Sequence, residues 1–587
     1  MGKKTGQKRP PVAEIERGAI HKSWRNRVSV ALVYPNTYHV GMSNLGLHTV
    51  YGLLNAFEHV LCERAFFPQA RAHRVQGGLG EPKLVSLESK RSLADFDVVA
   101  FSLAFENDFP NLLTLLDMAG LPLFAADRNA NHPLIMAGGV ACFINPEPIA
   151  PFIDLIAIGE AELLLPPIFG EHRSFQFKSR ETKADFLTDL AQNIPGLYVP
   201  ELYAPEYSKD GTLKALTPQR GLPEKIKRVY VADLNAIETQ SAIITPDTTF
   251  DATHLVEVSR GCPHGCRFCS AGYIYRPPRF RAIDNLEKQI GKGLETTDKI
   301  GLVGAAVSDL PGLSSLCQFA AQQKDGARVS FSSLRADALD EDLIASLKKS
   351  GVKTATIAPD AGSARMRAVI NKGLSEETIL AAIENLVAAG IPNVKLYFMI
   401  GLPTETADDV SAIVNLCRKI KHMFLATSRA QKRIGEITVS LNSFVPKPVT
   451  PFQWVSMDSI DSLKAKIKTI KSALKKVPNI RIHADVPRWA YVQALFSRGD
   501  RRVADILYMA HQNKGNWPKT LKASPVNPDF YVARERGLDE LFPWDFIDHG
   551  IKKSFLKNEY DRALKSRPSP PCPIESCQLC GVCKTIA

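Results

Sequence analysis

Three cysteines, Cys262, Cys266 and Cys269, stand at C-x3-C-x2-C spacing in the run Val258 to Cys269, directly after a β-type stretch from His254 to Val258. Three thiolates on one short loop can hold three irons of a cubane [4Fe-4S] cluster and leave the fourth iron open for chemistry. A structural zinc site would need a fourth ligand, and no fourth cysteine lies close by, so His264 or a distant residue would have to supply it. Small residues (Gly261, Pro263, Gly265) surround these thiols, whereas cysteines of an inert core prefer apolar neighbours. A second set, Cys572, Cys577, Cys580 and Cys583, is spaced C-x4-C-x2-C-x2-C near the C-terminus. It can close either a zinc tetrahedron or an auxiliary iron-sulfur cluster, and its tight repeats favour the cluster.

Both sets need a scaffold. From Leu255 onward, strand-like runs at Lys299–Val303, Arg328–Ser332, Lys353–Ile357, Val394–Ile400 and Glu436–Asn442 alternate with amphipathic helical patterns such as Leu339–Ser350 and Ser375–Ala389. With the strand before the cysteine loop they count to about six βα units, a partial (β/α)6 TIM barrel whose reactive end is the carboxyl end of its strands. Upstream, Val28–Tyr34, Asp97–Leu103, Leu134–Ala137 and Leu155–Ile158 read as strands, with helices at Leu45–Phe57 and Phe109–Met118. That alternation predicts a doubly wound, Rossmann-like α/β domain. The expected layout is a basic tail (1–22), the Rossmann-like domain (23–165), a connector with a short helix near Lys183 to Gln192 (166–250), the barrel (251–450), a helical extension (451–565) and a four-cysteine metal-binding tail (566–587). In the extension, helical patterns cover Ser459–Lys476 and Trp489–Met509. The latter contains Ser497-Arg498-Gly499-Asp500-Arg501-Arg502, either an anion site or an internal Asp-Arg network.

Cys262, Cys266 and Cys269, with Phe268 before the third, resemble the signature of the radical S-adenosylmethionine (SAM) enzymes. The resemblance implies that the open iron chelates SAM, and that one electron cleaves it to methionine and a 5′-deoxyadenosyl radical that abstracts hydrogen from a substrate. It further implies SAM contacts at Gly304 and Ala305, a ribose-binding role for Asp360, a carboxylate contact from Arg367, and an adenine platform at Ile400 and Gly401. Asp360 reads equally as a turn or capping aspartate. The N-terminal stretches Ser102-Leu103, Gly138-Gly139, Asp154 and Gly159-Glu160-Ala161-Glu162 resemble cobalamin-binding domains. The Asp-x-His-x-x-Gly motif of those domains is altered here, with Thr37 and Met42 flanking His39. Cobalamin would therefore bind without a histidine ligand, or the fold persists without the cofactor. Over nearly the whole chain the motif order resembles a bacterial family of radical SAM proteins with such an N-terminal domain.

The 587 residues carry eleven cysteines, seven in the two sets, which suits metal binding in a reducing cytoplasm better than a disulfide framework. No run is long and apolar enough for a membrane span. The formal charge of +12 is too dispersed to mark a nucleic-acid partner. The implied partner is a reducing electron donor of the flavodoxin or ferredoxin type, and the substrate stays open, including methyl transfer through cobalamin. A methylthiotransferase acting on RNA or protein is the rival within the family. Its N-terminal domain normally brings three cysteines, and this one has only Cys62 and Cys142. The rival outside it is an iron-sulfur electron-transfer or sensor protein that binds SAM without turnover.

Overall fold

The computed structural model describes residues 15–68, 84–170, 173–331, 334–430, 434–574 and 577–585; most of the expected basic tail lies outside them. The first sheet has six strands: β1 (Val28–Tyr34), β2 (Val60–Phe66), β3 (Val98–Ser102), β4 (Leu134–Gly138), β5 (Leu155–Ala157) and β6 (Leu197–Tyr198). Their order is β2-β1-β3-β4-β5-β6, parallel except for β6 against β5. Helices such as Leu45–Ala56, Phe109–Met118 and Ala161–Phe169 accompany the sheet, so β1 is buried from Val30 to Tyr34 without alternation, as a parallel sheet covered on both faces requires. The chain leaves β1 for β2 on one side and returns to β3 on the other. Its crevice therefore opens at the carboxyl ends of β1 and β3.

The sequence reading passes over β2 because Glu63 and Arg64 interrupt its apolar run. Both are buried, and both are paired: Arg64 holds Glu16 and Glu88 at 2.7 Å each, while Glu63 accepts from the Trp24 indole and Ser89. Paired charges can occupy a core that would exclude single ones.

The second unit is a parallel partial barrel in two sheets. One runs β7 (His254–Glu257), β8 (Lys299–Val303), β9 (Arg328–Phe331); the other runs β10 (Thr354–Asp360), β11 (Asn393–Ile400), β12 (Ile437–Ser443), β13 (Ile480–Ala484). Helices Glu341–Lys349 and Glu376–Ala388 start where the side chains of Asp340 and Ser375 cap them. β13 is a strand within the extension expected to be largely helical. It is a short edge strand with Arg481 and His483 on its exposed face, so its apolar residues are too few to announce it.

In the connector, helix Arg180–Asn193 leads into β6, which closes the edge of the first sheet. The expected helix over Trp489–Met509 is broken into Pro487–Arg498 and Val503–Gln512. At the break, Asp500 accepts from Arg502 and from the Tyr531 hydroxyl, and Arg501 holds Glu147 at 3.1 Å. The arginine-rich run is thus an internal network tying the extension to the first domain.

Candidate active site

Strand β7 ends at Glu257, and Ser259–Arg260 then pairs antiparallel with Arg279–Phe280, closing residues 261–278 into a small loop. Gly261 enters it at φ +86, where a Cβ would lie 2.8 Å from the Tyr275 carbonyl oxygen, so only glycine fits. The loop is held from beneath by Arg267. Its fully buried guanidinium donates to the carbonyls of Ala368, Val369 and Arg567 and pairs with Glu559 at 3.1 Å. Phe268 packs half-buried against the main core.

The loop thus presents three sheltered thiols. Burial pushes the Cys262 thiol up to about 12 and the Cys266 thiol to about 11, and raises Cys269 as well. As free thiols they are protonated and inert; iron would supply the charge that converts them to thiolates. His264 is engaged elsewhere, its Nε2 2.7 Å from Asp309 Oδ1, so it does not complete a zinc tetrahedron. Among the described residues no three candidate ligand side chains converge on a single ion, in either cysteine set. A cubane instead distributes its thiolates over separate irons, and the donor set of the loop fits it.

Asp360 closes β10 at φ +61, and its Oδ2 lies 2.5 Å from Lys372 Nζ. Burial pushes the Asp360 carboxyl up while Lys372 pulls it back, and that ammonium also acts on Cys266. Lys372 and Arg335, which donates to the Lys372 carbonyl at 3.3 Å, are cations beside the cysteine loop, and both act on Cys266. Arg367 is not one of them. Its guanidinium donates to the carbonyls of Ala361, Gly362 and Leu374, and it lines a separate groove with Glu376 and Lys419. At the end of β11, Ile400 is fully buried, its carbonyl accepts from Phe444 N, and the Gly401 N–H donates to Glu405 at 2.8 Å. The backbone groups expected to meet adenine thus already have partners. At the end of β8, Gly304 packs so closely on the segment that follows β7 that a Cβ would lie 2.5 Å from Ser259 Oγ.

Ala305 and Gly304 face a cavity of about 440 Å³. Its walls come from both units: Ser102, Gly138 and Gly139 at the carboxyl ends of β3 and β4, and Ser259 to Gly261 with Tyr275 from the cysteine loop. A limb lined by Val50, Leu54, Leu164 and Phe169 runs beneath the helices of the first sheet. Gly139, at φ +107, has no room for a Cβ, which would lie 2.5 Å from the Leu103 carbonyl oxygen. The two halves are locked by Arg260, which reaches Glu160 at 2.7 Å and Glu162 and Glu257 at 2.9 Å each. Arg279 adds a second bond to Glu160 at 2.7 Å. Burial works to raise the Glu160 carboxyl, but Arg279 and Arg260 overcome it and hold it below the usual carboxylate range.

Neither Arg260 nor Lys372 stood out in the sequence as the pivot it is. A basic residue before a glycine, as in Arg260-Gly261 and Lys372-Gly373, carries no motif of its own. His39 is absent from the cavity wall; its Nδ1 lies 3.1 Å from Asp247 Oδ1, a carboxylate supplied by the connector rather than by its own motif.

A three-cysteine loop stands at the carboxyl end of the first strand of a parallel partial barrel and faces a second parallel sheet across a cavity. Residues 46–200 match the family of radical SAM proteins, N-terminal, and residues 256–417 match the radical SAM superfamily. An uncharacterised protein of Methanocaldococcus jannaschii is 31% identical over 533 residues, covering 90% of this chain and 98% of its own. The chain belongs to the radical SAM superfamily, and with it come a [4Fe-4S] cluster and SAM. A tRNA-2-methylthio-N(6)-dimethylallyladenosine synthase of Clostridium tetani is 25% identical over 206 residues, 33% of this chain and 45% of that protein. Among solved structures, the cobalamin- and [4Fe-4S]-bound radical SAM methyltransferase TsrM of Kitasatospora setae aligns with a TM-score of 0.42 at 13% identity, over 71% of this chain and 75% of that one. No described helix is long and apolar enough to cross a membrane.

Proposed function

We propose that Cys262, Cys266 and Cys269 hold the cluster at which SAM is reductively cleaved, and that the open crevice between the two sheets, of which this cavity is the inner part, is where a corrinoid docks and meets the substrate. When bound, the cluster with SAM supplies a 5′-deoxyadenosyl radical, and the corrinoid supplies a methyl carrier. The observation that carries the reading is the cavity: it joins the carboxyl ends of both sheets and continues as an apolar limb beneath the first sheet's helices. Gly138 and Gly139 keep its mouth clear of side chains, and Glu160 and Glu162, bonded to Arg260, fix the cysteine loop against that mouth. Lys372 and Asp360 offer a cation and a carboxylate beside the loop, suited to the carboxylate and the ribose hydroxyls of SAM respectively. Among the described residues no histidine lines the cavity, and His39 is outside its wall, so none of them is placed to ligate the metal of a corrinoid there.

The four tail cysteines are read as a second iron-sulfur site, and cytoplasmic residence with a flavodoxin- or ferredoxin-type donor follows as the working context. The methylthiotransferase reading is weaker. Cys62 is buried in β2 and Cys142 in the helix Val140–Ile144, so the first domain offers no thiol set of its own.

Equilibrium binding of hydroxocobalamin to the full chain tests the corrinoid reading. One cobalt per chain is expected, with Val50→Trp, which fills the limb from a partly exposed helix position, weakening binding at least tenfold. Equal binding by the variant, or none by the parent, would remove the corrinoid from this cavity.

A further inference from the structure

The four-cysteine tail does not hang free of the radical site. The Cys572 N–H donates to the Pro263 carbonyl at 2.7 Å, and Pro263 adjoins Cys262. Peptide geometry then holds the Cα atoms of Cys572 and Cys262 within about 11 Å of each other. Just upstream, Arg267, which lies between two of the loop cysteines, donates to the Arg567 carbonyl at 2.7 Å and to Ser569 Oγ at 3.1 Å. Asn371 bridges the same segments, donating to the Gly265 carbonyl and accepting from Ser569 N at 2.7 Å.

The far end of the tail is fixed as firmly. The Cys580 carbonyl accepts from Lys552 N at 2.9 Å, and Cys580 itself is 2% exposed. Gly581 turns at φ +95 with its Cβ position 2.9 Å from Lys552 Cγ. Between the two cysteine sets lies Arg276. Its Nε donates to the Gly272 carbonyl at 2.7 Å, three residues past Cys269, and its guanidinium lies close enough to Cys580 and Cys572 for their charge to act on it. A zinc staple would account for an ordered tail. It would gain nothing from lying within about 11 Å of the cysteine loop, whereas a one-electron relay needs that closeness, and the buried Arg276 stabilises the negative charge that reduction adds.

We propose that the tail is the electron port of the radical site: Cys572, Cys577, Cys580 and Cys583 hold a [4Fe-4S] cluster that relays one electron to the cluster on Cys262, Cys266 and Cys269. The proposal rests on the reading of the loop as a cluster site. The step moves one electron and no proton. A low-potential one-electron carrier reduces the tail cluster from 2+ to 1+; the tail cluster returns to 2+ as the loop cluster goes from 2+ to 1+.

The test uses the full chain, reconstituted anaerobically, as the parent protein, Cys577→Ala, Cys269→Ala and Arg276→Gln. About eight irons are expected in the parent and about four in each cysteine variant. Electron paramagnetic resonance of the fully reduced parent should show a signal broadened by coupling of two neighbouring spins, replaced by sharp uncoupled signals in either cysteine variant. Reduction of the loop cluster by a reduced flavodoxin should slow at least tenfold in Cys577→Ala. Arg276→Gln, which keeps both cysteine sets, should retain about eight irons and shift the tail cluster to a lower midpoint potential. Zinc in the tail, or a parent spectrum equal to the sum of the two variants' spectra, overturns the port while leaving the radical site standing. A Cys577→Ala protein devoid of iron overturns the loop reading and the port together.

Discussion

Arg260 is where the two domains depend on one side chain. Burial alone would lower its basicity, yet Glu257, Glu160 and Glu162 together push it upward, so the guanidinium stays charged. Removing one member of a buried charge group strands the others, at a typical cost of about 3 to 5 kcal/mol. Arg260→Gln should therefore lower the urea unfolding free energy by about that amount, and a variant as stable as the parent would show that the carboxylates do not need it. The sequence exposed the three thiols and their spacing because cluster chemistry demands particular residue types. It did not expose Arg260, Lys372 or the loss of Arg367 to backbone carbonyls, since an arginine reads the same whether it faces a ligand or a peptide oxygen.

At the scale of elements, the turn from β4 into the helix Val140–Ile144 carries the cavity mouth. Gly139→Ala forces a side chain into a left-handed backbone position and against the Leu103 carbonyl. The expected result is a loss of at least about 1 kcal/mol in urea unfolding, together with weaker corrinoid binding; an unperturbed variant would mean that the turn relaxes freely. Most parallel strands were legible from their continuous apolar runs, and the helices from their period and caps. Two of those missed have clear physical reasons. β2 hides its burial behind the paired Glu63 and Arg64, and β13 is an edge strand with one polar face. The cavity was also beyond reach, because it is formed by segments far apart in the chain, such as Gly139 and Gly304, that only the docking of the two sheets brings together.

Across the whole molecule, burial sets an acid limit on stability. His48 accepts from Ile243 N and lies 3.0 Å from the Met42 carbonyl, and burial lowers its basicity to about 4; burial lowers His254 to about 4 as well. The unfolded chain therefore binds more protons than the folded one between the ordinary histidine value of 6.5 and about 4. Stability is full above that window and falls as the pH drops through it, by up to about 3 kcal/mol for each histidine. Urea midpoints measured from pH 7.5 down to 4.5 should decline, and His48→Gln should flatten the decline; a flat profile in the parent would contradict the buried neutral histidines.

The central claim is that the loop cluster cleaves SAM. The direct measurement is the formation of 5′-deoxyadenosine from SAM by the anaerobically reconstituted chain with a strong reductant, set beside Cys269→Ala. Reductant-dependent product from the parent and none from the variant is the expected result. An iron-loaded parent that binds SAM and never cleaves it, or a Cys269→Ala chain as active as the parent, would contradict the account.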